Sequence, residues 1–216
     1  ANQISLENID DTHTPSIIFR NCTRSLNAQS PALHYNAYIY YNNDTLREKY
    51  GCYKLVEAAS HGLTRCNFYT EEEMEANGWG SAAGKQPCFN APDVIATVTK
   101  RALASLDERA SAGQIIGKDY CTVDVAQIDV VEFCQCRLCV KDRRDTGTYT
   151  GSVVKFANKI DNAIQARPEY RGKVFTNILA YTLTAYPPSN IKPNDNVMIS
   201  FCFYFFGWEN GICSNH

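Results

Sequence analysis

The sequence has no run approaching the ~18 consecutive apolar residues that a membrane-crossing helix needs, so it offers no candidate span. It also lacks an excess of positive charge. Twenty-one Lys and Arg stand against 23 Asp and Glu, a formal net charge of −2, and no field of that size favours nucleic acid or an anionic membrane surface. No Gly-rich phosphate loop is present, which removes the usual cradle for a nucleotide. Four histidines and ten cysteines could pair by accident, but no local signature of a Cys–His protease accompanies them. Ala1-Asn2-Gln3-Ile4 has neither the charged nor the apolar region of a signal peptide, so a secreted form would be a processed one.

Cysteine, by contrast, is abundant. Ten in 216 residues is an even number and a high usage, and Asn-x-Thr sequons stand at Asn21 and Asn43. Both features point to a secreted or extracytoplasmic glycoprotein with disulfides, because disulfides follow the redox compartment. The alternative is a reducing cytoplasm with buried thiols and a metal site. The length fits one domain with a real core.

The chain is organised around Val123 to Cys139, where an apolar strand delivers Asp124, Asp129 and Glu132 and then Cys134, Cys136 and Cys139 into one loop. A buried strand, a polar loop and a helix make the βα unit whose loop commonly carries chemistry in α/β folds. Strands are expected at about 120–128, 174–182 and 196–206, and helices at about 92–108 and 152–166. In the first helix Pro92 sits in the first turn, Asp93 complements the dipole, and Ile95, Val98, Ala102 and Leu106 share a face. Thr70 caps a short acidic helix through Met74. Upstream, His34 to Tyr41 favours an extended segment and Thr45 to Ala59 a helix. Alternating buried strands and amphipathic helices indicate an α/β fold.

Four separate stretches carry a resemblance: Gly84-Lys85-Gln86-Pro87-Cys88-Phe89-Asn90-Ala91-Pro92-Asp93-Val94, Cys134-Gln135-Cys136-Arg137-Leu138-Cys139, Thr150-Gly151-Ser152-Val153-Val154-Lys155-Phe156-Ala157-Asn158, and Leu179-Ala180-Tyr181 followed by Pro187 to Val197. In order and spacing they resemble the bacterial family called domain of unknown function 4838 over about residues 60–202, with residues 1–59 matching poorly. The resemblance implies a single glycoside-hydrolase-like (β/α)₈ TIM barrel spanning residues 1–216, abbreviated or part of a longer chain, since such barrels take ~250 residues. It also implies a carbohydrate-active protein with a glycan partner and no cofactor, or a non-catalytic glycan-binding or scaffolding relative.

Glycoside hydrolysis needs two carboxylates flanking the scissile bond. The family's Gln-Asn-Asp reads here Gln127-Ile128-Asp129, which makes Asp129 the first catalytic candidate and Gln127 a substrate-binding one. The family's acidic residue on the sixth strand falls at Phe205, leaving Glu209 and Glu132 as possible second carboxylates. His61 aligns near a family histidine and could bond a sugar hydroxyl, while Tyr181, Trp208, Trp79 and Tyr186 could stack on sugar faces or simply pack. Cys134, Cys136 and Cys139 have two readings. With Cys121 or His61 they could form a tetrahedral zinc site, but C-x-C is an unusual half-site and no second pair at matching spacing follows, so disulfides that pin the loop are the favoured expectation.

Overall fold

A computed structural model describes residues 62–65, 68–80, 82–114 and 121–202. The expected segments at 34–41 and 45–59 lie outside those residues, as do both sequons. The chain divides into two compact units, residues 1–55 and 56–216, and every described residue belongs to the second.

That unit begins with α1 (Gly62–Arg65) and α2 (Glu71–Ala76). The start of α2 is a reciprocal cap: Glu73 N–H donates to Thr70 Oγ1 at 3.2 Å and Thr70 N–H donates to Glu73 Oε2 at 2.8 Å. Arg101 reaches across to the same carboxylate. Its hydrogen bond, with that from Thr70, lowers the Glu73 pKa to about 2.

Helix α3 (Pro92–Ser111) opens on proline and buries Val94, Val98, Ala102 and Leu106, a stripe at helical spacing. After β1 (Cys121–Asp124) come α4 (Arg137–Thr146), α5 (Thr150–Gln165), β2 (Val174–Ala180), a 3₁₀ turn at Thr182–Thr184 and β3 (Val197–Phe201). The three strands form one parallel sheet in the order β1-β2-β3, with Asp124 opposite Asn177 and Ala180 opposite Phe201. A parallel pair cannot be joined by a tight turn, and here α4 and α5 supply the crossover from β1 to β2. Helix α5 packs on β2, α3 and α4. It seals Val153, Val154, Phe156, Ala157, Ile160 and Ile164 completely from solvent.

The α4–α5 joint depends on two glycines. Gly147 ends α4 in the left-handed region at φ 78°, which glycine adopts without a Cβ penalty. Gly151 lies so close to α4 that a Cβ there would stand 2.2 Å from Thr146 Oγ1. No sequence pattern announces α4, because a polar helix with few buried positions lacks the apolar stripe seen in α3 and α5. Helix α5, expected from about residue 152, starts at Thr150, with Ser152 in its first turn.

The TIM-barrel expectation is overturned: among the described residues the sheet is three-stranded and open. Residues 203–206 of the run expected as a strand over 196–206 lie outside the described residues; the described part carries β3, on which Ile199 and Phe201 are 45% and 43% exposed. An apolar run marks where a strand lies. Closure depends on strand tilt and shear, which no local pattern encodes.

Candidate metal centre

The loop that leaves β1 is held from its first residue. Asp124 Oδ1 accepts the Ala126 N–H at 2.9 Å, and Val125 N–H extends the ladder to Asn177 O at 2.9 Å. Beyond it, the buried Gln86 side chain grips the loop backbone on both edges. Its Oε1 accepts Ile128 N–H at 2.9 Å, and its Nε2 donates to Ile128 O at 3.0 Å and Val130 O at 3.2 Å. Lys85 pairs with Glu132 in an isolated parallel bridge. Phe89 then stacks on Phe133, ring centroids 5.9 Å apart, and on Phe156 at 5.2 Å. Residues 85–90 therefore lie along the loop as a splint, and this alignment carries Cys88 to the turn that bears the other three cysteines.

The Sγ atoms of Cys88, Cys134, Cys136 and Cys139 all lie within 4.8 Å of one another. Cys88 Sγ is 3.8 Å from Cys136 Sγ and 3.6 Å from Cys139 Sγ. A zinc ion with Zn–S bonds of ~2.3 Å sets thiolates about 3.8 Å apart along the edges of a tetrahedron, so these spacings match that polyhedron closely. They exceed by far the ~2.05 Å of a disulfide bond. Cys88, Cys134, Cys136, Cys139 and Cys202 are all free thiols.

Two sulfurs of the cluster also accept an N–H: Cys136 N–H donates to Cys134 Sγ at 3.5 Å and Asn90 Nδ2 to Cys139 Sγ at 3.4 Å. Cys136 is the N-cap of α4 and is exposed, Cys139 is buried in the first turn, and Cys88 and Cys134 are half-buried. The environments pull the thiols apart: the Cys139 N–H lowers Cys136 to about 7, whereas burial raises Cys139 to about 11 and raises Cys88 as well.

Behind the sulfurs stands a buried carboxylate. Asp142 Oδ2 accepts Asn90 Nδ2 at 2.8 Å and Ser152 Oγ at 3.2 Å, and Oδ1 pairs with Lys155. Burial alone would raise the Asp142 pKa, but the bonds from Lys155, Asn90 and Ser152 outweigh it and the pKa is lowered. Asp142 thus orients the amide that touches Cys139. Such carboxylate partners fix the geometry of metal-ligating groups in known centres.

The structure brings Cys134, Cys136 and Cys139 together and adds Cys88, in place of the expected Cys121 or His61. Cys121 is buried at the start of β1, where Arg109 Nη1 lies 3.6 Å from its sulfur; His61 is outside the described residues. Cys88 is 48 positions from Cys136, so no local spacing marks it. The available signal was its place in the Gly84 to Val94 stretch.

The other candidates are dispersed. Asp129 and Glu132 are both exposed on the loop. Gln127 is buried, its Nε2 donating to Thr184 Oγ1 at 2.6 Å. Tyr181 is half-buried at the end of β2 and begins the 3₁₀ turn. Trp79 packs edge-on against Tyr69 with centroids 5.1 Å apart, and Tyr186 is 65% exposed. Trp208 and Glu209 lie outside the described residues.

The fold and the site together define a parallel α/β unit with a four-cysteine cluster at the end of its first strand. By its sequence the chain belongs to the family described as Domain of unknown function (DUF4838), whose profile matches residues 1–211. No curated protein and no solved structure matches it.

Proposed function

We propose that this domain binds one zinc ion through Cys88, Cys134, Cys136 and Cys139, and that the ion serves to fasten the loop after β1 to the segment before α3. The observation that carries this reading is the mutual approach of four sulfurs to within 4.8 Å, two of the separations, 3.8 and 3.6 Å, being those of a Zn–thiolate tetrahedron. Four thiolates crowded together repel one another strongly, and a divalent cation offsets that repulsion. Soft thiolate sets in tetrahedral array select zinc or iron among the common metals, and a multi-iron cluster would hold its thiolates farther apart than this. Four protein ligands leave no open position for a substrate or an activated water, so the role is structural. The residues divide the work: Gln86 aligns the two segments, the four cysteines close on the ion, and Asn90, held by Asp142, orients Cys139.

Metal analysis of protein produced with zinc tests this directly. One zinc per chain is expected, and cobalt exchanged into the site should give the absorption of tetrahedral Co²⁺–thiolate. Purification free of metal, with the four thiols fully alkylated under native conditions, would remove the reading. Stoichiometric iron would replace zinc while keeping the site.

A further inference from the structure

Resting on the zinc reading, we propose that the centre is also a peroxide-responsive switch, in which Cys136 is the sulfur attacked and a disulfide between Cys136 and Cys88 expels the metal. The four sulfurs are not equally protected. Cys139 is buried beneath the Asn90 amide, and Cys88 and Cys134 are half-covered, whereas Cys136 is exposed at the N-cap of α4. A small oxidant therefore reaches the centre through Cys136. The Cys88 sulfur stands 3.8 Å away, near enough to resolve the oxidised sulfur with a shift of about 2 Å to disulfide length. Nearby Cys134 is separated from Cys136 by a single residue, which makes a direct bond between them strained.

The chemistry balances with a peroxide as the oxidant. The Cys136 thiolate attacks one peroxide oxygen and breaks the O–O bond, giving a sulfenic acid and, after protonation, one water. Cys88 then attacks the sulfenic sulfur; the S–S bond forms and the sulfenic oxygen leaves with a proton as the second water. Two electrons pass from two sulfurs to one peroxide, and the centre is left with two thiolates, too few to keep zinc bound at its former affinity. The same disulfide ties the splint to α4 covalently, so the fold is retained while the metal is lost. A thiol reductant with zinc restores the starting state.

The test treats the zinc-loaded protein with hydrogen peroxide, follows released zinc with a chromogenic chelator, and maps disulfides by non-reducing peptide mass spectrometry. Cys136→His is run in parallel, since imidazole can ligate zinc but cannot form a disulfide. The expected result is one zinc released per Cys88–Cys136 bond, reversed by dithiothreitol, with release from the histidine variant slowed by at least roughly tenfold. Should that variant fail to hold zinc, the disulfide map of the wild type decides alone. Zinc retained after free surface thiols have oxidised, or released with a disulfide that leaves Cys88 or Cys136 free, overturns the proposal. A protein that carries no zinc at the outset fails the underlying reading instead, so the two failures are distinct.

Discussion

Removing the metal should lower the thermal stability of the unit by a calculable amount. The four ligands come from two places far apart in the chain, Cys88 on one side and Cys134, Cys136 and Cys139 on the other, so the ion binds the folded arrangement much better than the unfolded chain. Binding to the native state adds RT ln(1 + [Zn]/Kd), about 2.7 kcal/mol at a free zinc concentration of 100 Kd. For a unit of this size each kcal/mol moves Tm by roughly 2–4 °C, so the shift between chelator-treated and zinc-loaded protein is about 5–11 °C. Residual zinc binding by the unfolded chain would move the result toward the lower end. Differential scanning calorimetry at fixed free zinc, with metal content measured on the same samples, gives the number. Cys139→Ser should abolish the zinc-dependent increment, since it removes one of the four ligands. Melting temperatures within about 1 °C in the two states, at one bound zinc per chain, would refute the claim that the ion fastens the fold.

Other perturbations follow from the packing. Gly151→Ala would ordinarily strengthen a helix, but here the added methyl meets Thr146 Oγ1 at 2.2 Å and Thr146 Cβ at 2.9 Å; a loss of about 1–3 kcal/mol in urea unfolding is expected, and a gain would contradict the close α4–α5 approach. Phe156→Ala empties a fully buried site against Phe89 and should cost about 3–5 kcal/mol by the same measurement. Asp142→Asn should weaken zinc about 10–100-fold in competition titrations, through the loosened Asn90 amide. Because the folded pKa of Asp142 is depressed, its stabilisation is present above the ordinary carboxylate range near pH ~4 and is lost as pH falls through the folded value. The stability difference between wild type and Asp142→Asn should therefore be flat above about pH 5 and shrink on acidification; a difference that grows in acid would reverse the assigned sign.

Much of the fold could be read in advance where one local rule dominates. Pro92 with the Ile95, Val98, Ala102 and Leu106 stripe announced α3, although the folded helix buries Val94 and leaves Ile95 half-buried, and the Thr70 cap announced α2. The strands at Cys121–Asp124 and Val174–Ala180 stood out as apolar runs bounded by turns, and both fall inside their expected ranges. Helix α4 did not, since its stability comes from the α5 contact and the Asp142 network rather than from its own pattern. Three of the four clustered cysteines were visible as a compact group. The fourth was not, because its position depends on the Gln86 grip and the Phe89 stacking, which are properties of the folded chain.

The splint also explains why the cluster and the loop must be considered together. Between Lys85 and Asn90 the segment meets the loop and α4 repeatedly, Lys85 to Glu132, Gln86 to Ile128 and Val130, Cys88 to Cys136 and Cys139, Asn90 to Cys139 and Asp142, while Phe89 and Asn90 also reach Phe156 and Ser152 on α5. Hydrogen bonds to Gln86 secure the near half of the loop without any metal. Its far half is held by the packing of Phe133 on Phe89 and Tyr149 and by the Gln135 side chain's bond to Phe133 O, while sulfur–sulfur contacts between thiols contribute little on their own. A bound ion converts those four weak contacts into one cooperative clamp. The exposed carboxylates of Asp129 and Glu132 lie between the two fastenings, so whatever they contact is presented by a loop whose one end is set by an amide and whose other end is set by the state of four sulfurs.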